Sequence, residues 1–394
     1  VNVAAACFQH FFDGMRTDDG RPLFSRSVFV LGNHDHHFWE LARESAYAAY
    51  VKTVPRGGVL HPPWHVSNLF VDRRQRRLVS LLLTDLLHRN PAYAGLDVEV
   101  AYPNLGFMTD DGRRAVVFHH GHYLEEIYRA MTTAADMLFP HRTRPVHVWD
   151  LEAENFAWID FFWSTMGRSG RVGPLVQRVY NCLGDKQARA ERILVAMESL
   201  MGRLDLPGPD ALYARGAAGM ADALVERCVQ NERRDTANPL SPACFNGLVD
   251  YVETFVTRQM NSESACPEEL TFIFGHTHKP DVRVVRMPAG GDVHCYNTGG
   301  FVVEEEVPSA VHGASAVLLD KGLHAVSLQL YRETASGGTV SSPLEEAACP
   351  LYDRVASLIA TDAWKRWHDI IPGETEHRRR LLAGRIRGTS ETAD

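Results

Sequence analysis

Three short apolar runs, each followed at once by side chains able to ligate a cation, constrain this 394-residue chain more than any other feature. Ser27-Val28-Phe29-Val30-Leu31 leads into Gly32-Asn33-His34-Asp35, and Ala115–Phe118 leads into His119-His120-Gly121-His122. Thr271-Phe272-Ile273-Phe274 repeats the design ahead of Gly275-His276-Thr277-His278. A brief continuous apolar run stopped by glycine reads as a buried parallel strand. In open α/β sheets, sites form just beyond the carboxyl ends of such strands. The pattern therefore predicts an α/β layered fold with polar groups gathered at one sheet edge.

Further strands are predicted at Val98–Tyr102, Val293–Tyr296, Ala316–Leu319 and His324–Tyr331, and helices at residues 2–15 and His37 to Lys52. Residues 131–268 have a different pattern, mostly helical: Leu151–Met166, Leu175–Leu183, Ala188–Met201, Ala211–Gln230 and Phe245–Met260. This divides the chain into residues 1–130 and 269–335 as two parts of one domain, 131–268 as a helical cap inserted between them, and 336–394 as a C-terminal tail. The tail is read as one helix, Tyr352–Ile370, with a frayed polar end.

Imidazole nitrogen and carboxamide oxygen are suitable donors for Mn²⁺, Fe²⁺, Zn²⁺ or Co²⁺. In Gly275-His276-Thr277-His278 the histidines are two apart, so in extended backbone both can point the same way. Glycine beside them lets another backbone approach closely. Each motif alone is a weak signal, since a lone histidine is usually structural. The three in order, each at a strand tip, carry the argument together.

In this order the motifs resemble those of the calcineurin-like metallophosphoesterases, whose pattern runs Asp-x-His, Gly-Asp-x-x-Asp, Gly-Asn-His-(Asp/Glu), a His before Gly, then Gly-His-x-His. The turn Tyr296-Asn297-Thr298-Gly299-Gly300 also resembles the family's closing Asn-Thr-Gly segment. The resemblance covers residues 1–125 and 269–331. It implies a four-layer α/β/β/α sandwich around two divalent metal ions. It further implies hydrolysis of a phosphomonoester, phosphodiester or pyrophosphate by a hydroxide bridging those ions. By the same resemblance Asn33, His120 and His276 bind the second metal and His278 the first, while His34 protonates the leaving alkoxide and Asp35 orients its ring.

The first two elements of the pattern do not occur before Gly32; Asp13, Asp18 and Asp19 are the only carboxylates there, in a helix end and a polar turn. The resemblance thus implies one or two strands upstream of residue 1, lost by truncation rather than by nature. As it stands the chain is expected to bind the second metal weakly and the first hardly at all. The rival expectation is a catalytically impaired scaffold of the same fold that binds a partner through the helical insertion.

The net charge of −8 argues against nucleic acid as the main partner. A small-molecule or lipid-linked phosphate ester fits better. The aromatic patch Phe156, Trp158, Ile159, Phe161, Phe162 and Trp163 has two readings: a grip on a lipid or a membrane surface, with peripheral membrane contact, or a cap core, which is favoured. Trp364 and Trp367 lie on one face of the tail helix and are read as docking onto the domain. The arginines at 73, 74, 76 and 77 and at 378–380 are read as solvated helix faces. Seven scattered cysteines without a Cys-x-x-Cys pair fit a reducing, cytoplasmic setting. The first residues lack a secretory leader's basic start.

Overall fold

The first predicted strand forms β1 (Ser27–Val30), paired in parallel with β3 (Val98–Ala101), while β2 (Leu78–Val79) runs antiparallel on the other side of β3. This is a computed structural model, and it describes residues 12–70, 78–164, 219, 232, 235–303, 306–333, 340–341 and 349–391. The predicted helices Leu175–Leu183 and Ala188–Met201, nearly all of Ala211–Gln230, most of residues 2–15 and the arginines at 73–77 lie outside the described residues. The molecule is mixed α/β with several open sheets. Its two compact units cut the chain differently from the sequence-based division. Unit one comprises Val1–Leu105 with Glu125–Gln230, and unit two comprises Gly106–Leu124 with Asn231–Asp394.

In unit one, α1 (His36–Thr53) buries His36, Trp39, Ala42 and Arg43, the 3–4 spacing of a single helical face. Trp39 and Leu31 join Leu83 and Leu87 of α2 (Leu81–His88) and Val98 and Val100 of β3 in one apolar core. Ser80 caps α2, accepting a hydrogen bond from the Leu83 amide. After α3 (Ala130–Leu138) comes α4 (Val148–Trp158), which continues into a π-helical turn, Ile159–Ser164. Ile159 and Trp163 are buried, so this much of the aromatic patch is core; the side chains of Phe161 and Phe162 lie outside the described residues.

In unit two, β5 (Arg114–His119), β6 (Glu269–Phe274) and β8 (Asp292–Asn297) run parallel, and β7 (Asp281–Arg286) closes the edge antiparallel to β8. With β4 (Asn104–Met108), whose last three residues open this unit, the order is β4-β5-β6-β8-β7. The period-two side-chain alternation of strands divides the contacts of this sheet. Val116, Ile273 and Tyr296 pack with Ala325, Val317 and Leu319 of the antiparallel pair β9 (Gly313–Leu319) and β10 (Ala325–Arg332). Phe272, next to Ile273, contacts Tyr251 instead. Tyr251 opens the π-helical turn Tyr251–Val256 that joins α5 (Pro242–Asp250) to α6 (Thr257–Ser262).

A short strand β11 (Val340–Ser341) pairs with β10. Val326 and Leu328 pack against Val355 of α7 (Pro350–Ile359). The tail corrects one expectation: α7 stops near Ala360, and a second helix, α8 (Asp362–Glu391), runs through the stretch expected to fray. Ion pairs one turn apart, Glu374–Arg378 and Glu376–Arg379, support that polar half. Docking of the tail is seen in Trp367, whose indole Nε1 donates to the Leu330 carbonyl at 2.8 Å. No described helix is long and apolar enough to cross a membrane. The described cysteines Cys244, Cys266, Cys295 and Cys349 are free thiols.

Candidate functional site

The second and third motifs meet in unit two because β5 and β6 are adjacent and parallel. Phe118 pairs with Ile273, and the alignment continues past the strands, where the Gly275 amide donates to the His120 carbonyl at 3.0 Å. His120 Nε2 and His276 Nδ1 then stand 3.2 Å apart, with ring centroids at 5.0 Å. Gly121 makes the approach possible. Its φ is +115°, and a Cβ there would lie 2.6 Å from the Gly275 carbonyl oxygen and 2.8 Å from the His276 Cβ.

The backbone of Gly275–His278 is not extended, and the expectation that alternation aligns the two histidines is corrected. His276 and His278 have φ of +71° and +59°, the left-handed region, which costs an L-residue roughly 1–2 kcal/mol. The turn is held from its flanks. The Thr277 amide donates to the Gly275 carbonyl at 2.8 Å, and Asn297 at the tip of β8 donates through Nδ2 to Thr277 Oγ1 at 2.6 Å. Asn297 Oδ1 in turn accepts from the Gly299 amide at 3.0 Å.

Below the turn, Lys279 is fully buried, and its three ammonium donors meet three acceptors. These are Glu232 Oε1 at 2.6 Å, the Asn238 carbonyl at 2.9 Å and the Asp235 carbonyl at 3.0 Å. His278 lies against Gly300, where a Cβ would come within 2.4 Å of its Cδ2. His119 and His122 are buried beside the pair, their rings stacked at 5.1 Å, and His119 Nδ1 accepts from the Gly121 amide at 2.8 Å.

Could His120 and His276 hold a metal? Two nitrogens sharing one first-row cation at about 2.1 Å stand about 3.0–3.4 Å apart at octahedral to tetrahedral angles. Their 3.2 Å separation suits that as well as it suits one N–H···N hydrogen bond. Among the described residues, no third His, Cys, Asp or Glu completes a three-ligand group with them.

The first motif belongs to unit one. The Asn33 side chain is fully buried, with Nδ2 donating to Tyr128 Oη at 3.3 Å. His34 Nδ1 lies 3.1 Å from the Trp163 carbonyl oxygen. That oxygen can only accept, so Nδ1 is the protonated nitrogen. The Trp163 carbonyl, and not Asp35, is thus the group that meets this nitrogen. Asp35 sits at the start of α1 without making a side-chain cap, and burial pushes its carboxyl up.

Sequence reasoning missed the next residue. His36 is fully buried, with Nε2 at 2.8 Å from Glu152 Oε1 and Nδ1 at 3.6 Å from Asp160 Oδ1; Tyr102 donates to Glu152 Oε2 at 2.9 Å. The repeated histidines of His34-Asp35-His36-His37 were the only signal there. Burial pulls the His36 pKa down, but Asp160 and Glu152 outweigh it and raise the ring to about 9. A folded pKa above the ordinary value of about 6.5 gives stability that is full below that pH and is lost as pH climbs through 9. The unfolding free energy from urea melts is therefore expected to fall between pH 6.5 and 9.5, by on the order of 3 kcal/mol in total. In His36→Gln that decline should flatten.

The chain matches no family model, and it has no significant match among curated proteins or among solved structures.

Proposed function

We propose that this chain is a metal-dependent phosphoesterase built as a four-layer α/β/β/α sandwich with a helical insertion. The observation that carries the reading is the His120–His276 pair at the tips of neighbouring parallel strands, 3.2 Å apart. Strained backbone supports it. Glycine or asparagine would sit in the left-handed positions 276 and 278 at less cost, yet both hold histidine, and such strain gathers at functional sites. In unit two, the β4–β8 sheet packs on β9 and β10, with Tyr251 of the π-helical turn against the first sheet and α7 against the second, which supports the layered reading.

In this reading His120 and His276 would hold one divalent cation and His278 the other, while Asn33 keeps the ligand role that the resemblance gives it. When bound, the two cations would lower the pKa of a water and neutralise the phosphoryl oxygens. His34 would hold the proton for the departing oxygen on Nε2, because Nδ1 is engaged with Trp163. The substrate is a phosphate ester of small-molecule or lipid-linked type.

The test is hydrolysis of bis-p-nitrophenyl phosphate by the full-length protein with Mn²⁺, alongside Asn33→Ala and His34→Ala. Asn33→Ala is expected to lose at least about 100-fold in kcat/KM on this ester, and His34→Ala as much on a dialkyl phosphate, whose departing alkoxide needs the proton. Wild-type turnover no higher than that of Asn33→Ala would leave the scaffold reading in its place.

A further inference from the structure

The stretch Tyr128–Ser164 does more than follow the first motif in sequence, because four of the five residues Asn33–His37 contact it within unit one. Asn33 Nδ2 donates to Tyr128 Oη, His34 Nδ1 to the Trp163 carbonyl, and the His37 amide to Ser164 Oγ at 3.3 Å. His36 is held between Glu152 and Asp160. The Tyr128 and Trp163 rings lie 4.8 Å apart, so the partners of Asn33 and His34 also pack on each other. Glu152 lies on α4, Trp163 and Ser164 in the π-helical turn that continues it. A π turn displaces carbonyls from the α-helical ladder, and such turns recur at functional sites.

We propose that the segment Glu152–Ser164 positions the proton donor. The Trp163 carbonyl fixes the His34 ring with its proton on Nδ1, and Glu152, acting through His36, holds that carbonyl in place. This rests on the phosphoesterase reading above. As the P–O bond to the leaving group breaks, the imidazolium gives its Nε2 proton to the departing oxygen. The ring is left neutral as the Nδ1–H tautomer, already hydrogen-bonded to Trp163, so no tautomer change accompanies the transfer. Glu152 and Trp163 touch no reacting atom in this scheme; they are positioning residues.

A positioning role differs from a merely structural one in its dependence on the leaving group. An alkoxide needs the proton as it departs, whereas p-nitrophenolate leaves largely without it. With full-length protein and Mn²⁺, Glu152→Gln and Ser164→Ala are expected to lower kcat on a dialkyl phosphate by about 10- to 100-fold. Both should change kcat on bis-p-nitrophenyl phosphate less than about 3-fold, and KM for either ester should stay put. Equal losses on both esters would overturn the proposal while leaving the phosphoesterase reading intact. No hydrolysis of either ester by the wild-type protein would overturn both.

A second measurement needs neither turnover nor a variant that folds under strain. In ¹⁵N-histidine-labelled protein, with the His34 signals assigned by their absence from His34→Gln, neutral His34 should show a protonated Nδ1 and a bare Nε2. The opposite tautomer would refute the proposed role of Trp163 whatever the kinetics show.

Discussion

Glu232→Ala is expected to destabilise unit two by about 3–5 kcal/mol, read from urea unfolding by tryptophan fluorescence. The reason is the ammonium it strands. Lys279 is fully buried, and Glu232 is the one carboxylate in direct contact with its ammonium among the described residues, at 2.6 Å, while the Asp235 carboxylate feels that charge without pairing with it. A buried ion pair contributes little net stability, but removing one partner leaves an uncompensated charge in a low-dielectric interior. The two backbone carbonyls that remain supply hydrogen bonds but no countercharge. Lys279→Met should cost less, because the carboxylate it leaves also accepts from the Ser241 amide at 3.0 Å. The double variant Glu232→Gln, Lys279→Met should fall well short of the summed single losses, as coupled groups do. Strict additivity would show that the two side chains are not paired in solution.

Gly121→Ala is the second large effect expected, at about 2–5 kcal/mol. Two costs combine: a φ of +115°, which L-residues avoid, and a methyl group forced to within 2.6 Å of a backbone oxygen that cannot swing aside. Relief requires Gly275 to move, and His276 moves with it. The variant should therefore lose Mn²⁺ affinity by at least about 10-fold even where it stays folded, measured by calorimetry below its unfolding temperature. A Gly121→Ala protein with wild-type stability and wild-type Mn²⁺ binding would show that the close approach is dispensable.

Much of this arrangement was legible in the sequence because it is local. A short apolar run closed by glycine marks a buried strand, and β1, β5 and β6 fall where those runs lie. The helix α1 follows from its 3–4 spacing of buried positions. The edge strand β7 was missed, since Asp281-Val282-Arg283-Val284-Val285-Arg286 is half exposed and carries no buried run. The break between α7 and α8 was missed because the residues on both sides favour helix equally.

The candidate site divides in the same way. Strand-tip motifs announce His120 and His276, but nothing in Gly-His-Thr-His signals left-handed backbone, which ordinarily selects glycine or asparagine. The partners of His34 and His36 lie 129 and 116 positions along the chain. Pairing across such a distance leaves no periodicity to read, and a buried glutamate on α4 looks like any other helix-favouring residue until the fold brings it to His36.

The phosphoesterase reading stands on His120 and His276 sharing a divalent cation. Anomalous scattering from crystals of the full-length protein grown with Mn²⁺ tests this most directly. A peak is expected between His120 Nε2 and His276 Nδ1, within about 2.3 Å of each, and it should disappear in His276→Ala. Crystals with no peak there, and the two nitrogens joined only by a hydrogen bond, would contradict it.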